Sequence, residues 1–144
     1  MKILVLNGPN LNLLGVREPD VYGIETLKDL ESKLKVAAKE LGCEVDFRQT
    51  NSEDELLAWL HEALEAKSPV VLNPAAFTHY SYALRDAVAA LTSSGIKVIE
   101  VHISNPHSRE TFRHTSVISG VATGVIAGFG VDSYLLALAQ LTRD

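Results

Sequence analysis

The chain has 144 residues, of which 47% are hydrophobic and 22% charged, and its formal net charge is -5. This profile is typical of one globular domain, so we assign residues 1–144 to a single domain. An acidic chain without clustered basic residues gives no sign of a nucleic-acid partner, and no apolar run is long enough to cross a membrane. Because Cys43 is the single cysteine and no apolar leader follows Met1, we expect a cytoplasmic protein without disulfides.

Short apolar runs alternate along the chain with helical periods. The predicted strands are Lys2–Leu6, Glu44–Gln49, Val70–Asn73, Lys97–Ile103 and Gly124–Ala127. The predicted helices begin after Thr26, after Ser52, near Tyr82 and near Asp132. Near-continuous apolar strands that alternate with helices indicate a parallel sheet covered on both faces. We therefore predict an α/β fold, a flavodoxin-like doubly wound sheet of five parallel strands with helices on both faces.

The first predicted strand ends in Asn7-Gly8-Pro9-Asn10, and a long loop follows. Glycine and proline interrupt both strands and helices, and a long loop in a compact domain is commonly a lid or a binding loop. The predicted lid, residues 16–24, carries Arg17 and Tyr22. A phenol ordinarily ionises near pH ~10, but a neighbouring guanidinium shielded from water favours the phenolate, which is a base. The alternative is a surface arginine that stacks on the tyrosine or pairs with a nearby carboxylate.

The fourth predicted strand combines a carboxylate with an imidazole. Glu100 and His102 are two residues apart, so they point to the same face of the strand. The carboxylate fixes the imidazole tautomer and favours its protonated form, as a general acid requires. Asn105-Pro106 then predicts a helix start whose free amides suit an anion, with Arg109 and Arg113 one turn apart on that helix. The alternative for His102 is a core histidine with satisfied hydrogen bonds.

The third predicted strand ends at Asn73, and Pro74 prevents its extension. The small pair Ala75-Ala76 would let a ligand approach the backbone. We predict Thr78 as the N-cap of the next helix, which places His79 in the first turn. Since the helix dipole disfavours a protonated imidazole there, we expect a neutral His79 that acts by hydrogen bonding. The alternative is an ordinary surface histidine.

These segments are predicted to meet, because the carboxyl ends of the strands form the ligand-binding edge of such sheets. They are Asn7–Asn10, Asn73–His79 and His102–Arg113. The histidines lack the spacing of a zinc site, and the chain has neither a P-loop nor a G-x-S-x-G motif. The competing hypothesis to an enzyme is a non-catalytic flavodoxin-like module that binds a ligand or serves as an oligomer scaffold.

Three long blocks of sequence resemble the type II 3-dehydroquinate dehydratases. They are NGPNLNLLGVREPDVYG, LNPAAFTH with LRDA, and EVHISNPHSRETFRH, and the resemblance extends over the whole chain. It implies the reversible removal of water from 3-dehydroquinate to give 3-dehydroshikimate, in the shikimate pathway of aromatic amino acid biosynthesis. It also implies no metal, nucleotide or Schiff base, and a homo-oligomer in which trimers form a dodecamer.

The resemblance further implies a role for individual residues. Tyr22 corresponds to the catalytic base, Arg17 to the lid arginine that favours its ionised form, and His102 to the catalytic acid. Asn10 would support the enolate through a water, and Glu100 would orient His102. The implied substrate-binding residues are Asn73, His79, Asp86, Ile103, Ser104 and Arg113, of which Asp86 would reach the site of a neighbouring subunit.

The chain departs from the family pattern at a few positions. Tyr80 and Tyr82 follow His79 where many relatives are expected to have smaller residues, and they bear on the subunit contact or the pocket rim. Ser133 stands where glycine is common.

Overall fold

The computed structural model describes residues 1–143 and contains a parallel five-stranded sheet. The strands are β1 (Lys2–Asn7), β2 (Glu44–Gln49), β3 (Val70–Asn73), β4 (Val98–His102) and β5 (Gly124–Ala127). Their order is β2-β1-β3-β4-β5, and every pair is parallel. This is the order of flavodoxin-like doubly wound folds. The predicted fold class is therefore confirmed, and each predicted strand end lies within one residue of the observed end.

Helices cover the sheet on both faces. They are α1 (Pro19–Tyr22), α2 (Leu27–Leu41), α3 (Glu53–Ala66), α4 (Tyr82–Ser93) and α5 (Asp132–Leu141). Short 3₁₀ helices span Leu11–Leu13, Ala75–His79, Pro106–Ser108 and Thr111–His114. The predicted cap of α2 is confirmed, since Thr26 and Asp29 exchange side-chain and backbone hydrogen bonds in a capping box. Among the described helices, none is long and apolar enough to cross a membrane.

Alternation along the strands divides the core into two layers. On β1, Ile3 and Val5 face the layer formed with α2 and α5, whereas Leu4 and Leu6 face the layer formed with α3 and α4. All four side chains are at most 3% exposed. Burial on both sheet faces explains why the strands read as continuous apolar runs. It also holds the carboxyl ends of β1, β3 and β4 rigidly side by side.

The predicted position of α4, near Tyr82, is confirmed, but its predicted N-cap was wrong. Ser81, not Thr78, caps this helix, because its Oγ accepts the backbone N–H of Leu84 at 3.1 Å. Thr78 lies inside the preceding 3₁₀ helix, and its hydroxyl donates to Glu100 Oε2 at 2.6 Å. The Thr78 hydroxyl makes a charge-assisted hydrogen bond to a buried carboxylate, and its residue lies in the preceding 3₁₀ helix, so it does not cap α4.

Candidate active site

A cleft opens at the carboxyl end of the sheet. Together with the open solvent at its mouth, it contains about 550 Å³ of empty space. Its lining includes the predicted residues Asn10, Arg17, Tyr22, Asn73, His79, His102, Ile103, Ser104 and Arg113, together with Arg109. Three strand ends therefore deliver polar groups to one place, as the topology predicts. Glu100 lies behind His102, and Asp86 is not part of the lining.

Tyr22 sits next to two guanidinium groups. The guanidinium carbon of Arg17 lies 4.8 Å from the Tyr22 ring centroid, and that of Arg109 lies 5.0 Å from it. Both distances fall within the range of cation–π contacts. Arg17 also pairs with Glu18 at 3.4 Å, so both contacts of the alternative, stacking on the ring and pairing with a carboxylate, are present.

The predicted lid contains a short helix and is not an irregular loop throughout. Pro19 begins the single-turn helix α1, in keeping with the preference of proline for the first helical position, and Tyr22 ends it. Glu18 enters this turn with a φ of 41°, in the left-handed region that few non-glycine residues adopt. Tyr22 packs against the apolar layer beneath it while its ring faces the cleft. The turn thus fixes where the phenol stands.

His102 and Glu100 form a close pair at the end of β4. His102 Nε2 lies 2.5 Å from Glu100 Oε2, and the Glu100 side chain is fully buried. Their predicted position on one strand face is confirmed. A carboxylate can only accept, so Nε2 carries the proton of this hydrogen bond and Nδ1 is the nitrogen left for the cleft.

Three hydroxyl groups surround the Glu100 carboxylate. Ser119 Oγ donates to Oε1 at 2.6 Å, Thr78 Oγ1 donates to Oε2 at 2.6 Å, and Ser116 Oγ lies 2.6 Å from Thr78 Oγ1. Burial alone would raise the pKa of Glu100, but the hydrogen bond and charge of His102 and the donated hydroxyls outweigh it and lower the pKa. Glu100 is therefore an anion that is held in place by donors on both oxygens.

The surroundings of His79 favour a neutral imidazole. Its Nδ1 lies 2.8 Å from the carbonyl oxygen of Thr115, which can only accept, so Nδ1 is the protonated nitrogen. Burial lowers the pKa of His79, and the charge of Arg113 lowers it further. Nε2 is thus a free acceptor. The lowered pKa favours the neutral state that was predicted. Its causes are burial and a neighbouring cation and not a helix dipole, because His79 ends a 3₁₀ helix and does not begin α4.

The loop after β4 carries the strongest features of an anion site. Among the described residues, no acceptor pairs with the backbone N–H groups of Ile103 and Ser104. Asn73 lies beside them in the lining, and its amide is held at the Oδ1 end by the backbone N–H of Ala75 at 3.0 Å. Free amides next to arginines bind carboxylates well.

Arg109 and Arg113 were predicted to lie on one helix, but the structure does not place them on one. Asn105 Oδ1 accepts the His107 N–H and starts the 3₁₀ helix Pro106–Ser108, which confirms the cap, but this helix ends at Arg109. Arg113 lies in the separate 3₁₀ helix Thr111–His114 and pairs with Glu110 at 3.1 Å. Both guanidiniums nevertheless reach the cleft. Arg109 also donates to Ser104 Oγ at 3.1 Å.

Two predicted residues have distinct positions. Asn10 lines the cleft in a left-handed backbone conformation, with a φ of 67°, and its N–H donates to Asn51 Oδ1 at 2.9 Å. Asp86 is exposed on α4, where its carboxylate pairs with Arg85 at 3.0 Å. Within one chain, Asp86 is thus outside the cleft.

Sequence reasoning missed a group of supporting residues. These are Thr78, Ser116 and Ser119 around Glu100, and Tyr134 and Asn7 behind Asn73. Their partners are far away in sequence, so spacing carries no signal of the contacts. Asn7 and Ser133 are fully buried polar residues, and such burial indicates only that each has some hydrogen-bond partner.

The fold and cleft define a flavodoxin-like α/β domain whose pocket combines a phenol beside two cations, a carboxylate-bound imidazole and a loop with free backbone amides. The family model described as Dehydroquinase class II matches residues 1–142. The chain is 59% identical to the 3-dehydroquinate dehydratase of Kineococcus radiotolerans, over 98% of this chain and 94% of that protein. It is 61% identical to the one of Pelotomaculum thermopropionicum, over 96% of this chain and 94% of that protein.

A solved structure is also similar to this chain in both fold and sequence. The type II dehydroquinase from Propionibacterium acnes superposes with a TM-score of 0.95 at 50% identity, over 99% of this chain and 97% of that chain. The chain belongs to the class II dehydroquinase family.

Proposed function

We propose that the chain catalyses the reversible dehydration of 3-dehydroquinate through an enolate, with Tyr22 as base and His102 as acid. Membership of the family makes the chain a 3-dehydroquinate dehydratase of the shikimate pathway. The mechanism is our proposal, and one observation carries it: a phenol beside two guanidiniums and a carboxylate-bound imidazole line the same cleft.

The reaction begins with proton removal. Tyr22, as phenolate, takes a proton from the carbon next to the ketone, and the electron pair moves onto the ketone oxygen to form an enolate. Arg17 and Arg109 favour the phenolate, and closure of the segment 16–24 over the substrate removes water and strengthens their effect. Asn10, which lines the cleft, supports the enolate oxygen through a water.

The second half of the reaction expels water. The enolate re-forms the ketone, a carbon–carbon double bond forms, and the carbon–oxygen bond to the hydroxyl breaks. His102 donates the Nδ1 proton to the departing hydroxyl, while Glu100 stabilises the imidazolium through Nε2. Tyr22 then loses its proton and His102 regains one, so the enzyme returns to its initial state.

The anion site orients the substrate for this sequence. In 3-dehydroquinate the carboxylate and the departing hydroxyl share one carbon. Binding the carboxylate to the Ile103 and Ser104 amides and to Asn73 therefore places the hydroxyl next to His102, which precedes Ile103 in the chain. Arg113 and the free Nε2 of His79 bind the ring hydroxyls.

An absorbance assay tests the function directly. 3-Dehydroshikimate is a conjugated enone that absorbs in the near ultraviolet, whereas 3-dehydroquinate does not. Purified protein incubated with 3-dehydroquinate should produce this absorbance without added metal or cofactor. The absence of any increase would favour the non-catalytic module instead.

The assembly is a further part of the proposal. We expect a dodecamer built from trimers, in which Asp86 contacts the site of a neighbouring subunit. Asp86 is exposed and does not line the cleft of its own chain, and both facts support this expectation. Tyr80 and Tyr82 are 59% and 68% exposed on the same part of the surface, so they offer apolar area for a contact. Light scattering on the purified protein measures the subunit number.

A further inference from the structure

A buried hydrogen-bond chain runs from the sheet to the cleft. It joins Asn7 on β1, Tyr134 on α5 and Asn73 on β3, whose exposed fractions are 0%, 0% and 3%. The Tyr134 hydroxyl donates to Asn7 Oδ1 at 2.7 Å, and Asn73 Nδ2 donates to the Tyr134 oxygen at 2.8 Å. Of the three, Asn73 alone lines the cleft.

The direction of every bond in this chain is determined. Asn7 Nδ2 donates to the carbonyl oxygen of Arg48 at 2.9 Å, so the Asn7 oxygen must face Tyr134. The Tyr134 hydroxyl must then donate to Asn7, which leaves its oxygen to accept from Asn73. Asn73 Oδ1 in turn accepts the N–H of Ala75 at 3.0 Å. The amide of Asn73 therefore has one permitted orientation.

We propose that Tyr134 is a positioning residue for substrate binding, which acts by holding the amide of Asn73 in the orientation that receives the substrate carboxylate. The inference rests on the proposed function, in which Asn73 helps to bind that carboxylate. One N–H of Asn73 Nδ2 is used by Tyr134, so the other is free to donate into the cleft. Neither Tyr134 nor Asn7 touches the substrate.

Two observations support this role. Burial raises the pKa of Tyr134 far above its ordinary value, so the hydroxyl keeps its proton around neutral pH. Ala75, which also lines the cleft, has a φ of 51°, an unusual value for a residue other than glycine. Its N–H is bonded to Asn73 Oδ1, so the same amide also holds the strained backbone of the cleft wall.

The test replaces Tyr134 by phenylalanine and follows enone formation from 3-dehydroquinate. The Ile103 and Ser104 amides still orient the carboxylate when its contact with Asn73 is weakened, so this loss should raise KM and largely spare kcat. We expect Tyr134→Phe to raise KM by about 3- to 10-fold with kcat within about 2-fold of wild type, and Asn73→Ala to raise KM by about 10-fold or more. A merely structural role would lower the amount of folded enzyme and leave KM unchanged.

A double-mutant cycle separates coupling from general damage. If Tyr134 acts through Asn73, Tyr134→Phe should add no further increase in KM to the Asn73→Ala variant. Ser133→Ala is the matched control, since Ser133 is also fully buried on α5 but its Oγ accepts the N–H of Phe129, away from the cleft. Its KM should equal that of wild type. Additive effects of Tyr134→Phe and Asn73→Ala would overturn the proposal.

Other outcomes are equally decisive. An unchanged KM in Tyr134→Phe, beside a raised KM in Asn73→Ala, would overturn the role of Tyr134 and leave the proposed function standing. A wild-type protein that forms no enone would contradict the proposed function, and the role of Tyr134 with it. If Tyr134→Phe does not fold, Asn7→Ala tests the same chain one link earlier: a raised KM with preserved kcat supports the proposal, and an unchanged KM overturns it.

Discussion

The guanidinium of Arg109 lies 5.0 Å from the ring centroid of Tyr22, almost the same separation as the 4.8 Å of Arg17. The two arginines come from different segments, one from the predicted lid and the other from the loop after β4. The side chain of Arg109 is 12% exposed, and that of Arg17 is 32% exposed. Because solvent screens an exposed charge more strongly, Arg109 should act on the phenol at least as strongly as Arg17.

Removal of either arginine should slow proton removal, because each places a positive charge beside the proposed base. We expect Arg109→Ala and Arg17→Ala each to lower kcat by about 10-fold or more, with the larger loss for Arg109→Ala. Arg109→Lys keeps the charge and should show a smaller loss. A wild-type kcat in both alanine variants would mean that neither arginine acts on the phenol.

Neutral His79 makes substrate affinity sensitive to acid. Its pKa is lowered by burial, so protonation begins only below its ordinary value of about 6.5, and only then does Nε2 change from acceptor to donor. KM should stay constant around neutral pH and increase as the pH falls below that range. His79→Asn retains a donor for the Thr115 carbonyl but loses the Nε2 acceptor, so its KM should be about 2- to 10-fold higher at pH 7 and less dependent on acid. A wild-type KM in this variant would exclude the proposed contact.

Protonation of Glu100 in acid should lower the free energy of unfolding. Its pKa in the folded protein lies below the unfolded value, so the ionised form stabilises the fold. This stabilisation is fully present above the unfolded pKa of about 4.3 and is lost as the pH falls through the lower, folded pKa. Glu100→Gln should therefore lower the free energy of unfolding by about 1–3 kcal/mol at pH 7, with a difference that shrinks in acid.

Denaturant unfolding at a fixed protein concentration and several pH values measures this effect. Ser119→Ala removes one of the hydrogen bonds to Glu100 and should cost less, about 0.5–1.5 kcal/mol at pH 7. A difference between wild type and Glu100→Gln that stays constant from neutral pH to pH 3 would contradict the assignment of an ionised Glu100.

The wall of the cleft leaves no space at Gly8. A Cβ at this position would lie 2.6 Å from the carbonyl oxygen of Pro74, so Gly8→Ala must move the backbone between β1 and β3. We expect a loss of about 1–3 kcal/mol of stability and lower activity, because Pro9 and Ala75 line the cleft beside it. Gly120→Ala is the control, since nothing lies within 4 Å of its added Cβ. Equal stability and activity of the two variants would exclude this close approach.

The elements and residues whose positions were predicted correctly are those marked by local sequence patterns. Apolar runs bounded by glycine and proline located the strands, and the period of two along a strand placed Glu100 and His102 on one face. The parallel order of the sheet then brought Asn73 and His79 to the same cleft.

Long-range competition explains what the sequence could not indicate. Thr78 is a residue type that often caps helices, but its hydroxyl donates instead to Glu100, which lies 22 residues away in sequence. Arg109 and Arg113 have the spacing of one helical turn, but the chain forms two separate 3₁₀ helices there. The contact of Tyr134 with Asn73 spans 61 residues and depends on how α5 packs on the sheet. No spacing rule predicts such a contact.

The most direct test of the mechanism is Tyr22→Phe, which removes the phenol oxygen and retains the ring between the arginines. Turnover is measured by enone absorbance, and binding of 3-dehydroquinate is measured separately by calorimetry. A positioned general base contributes about 10²–10⁴ to the rate, so kcat should fall by that factor while binding stays within a few-fold of wild type. Turnover close to that of wild type would show that another group removes the proton.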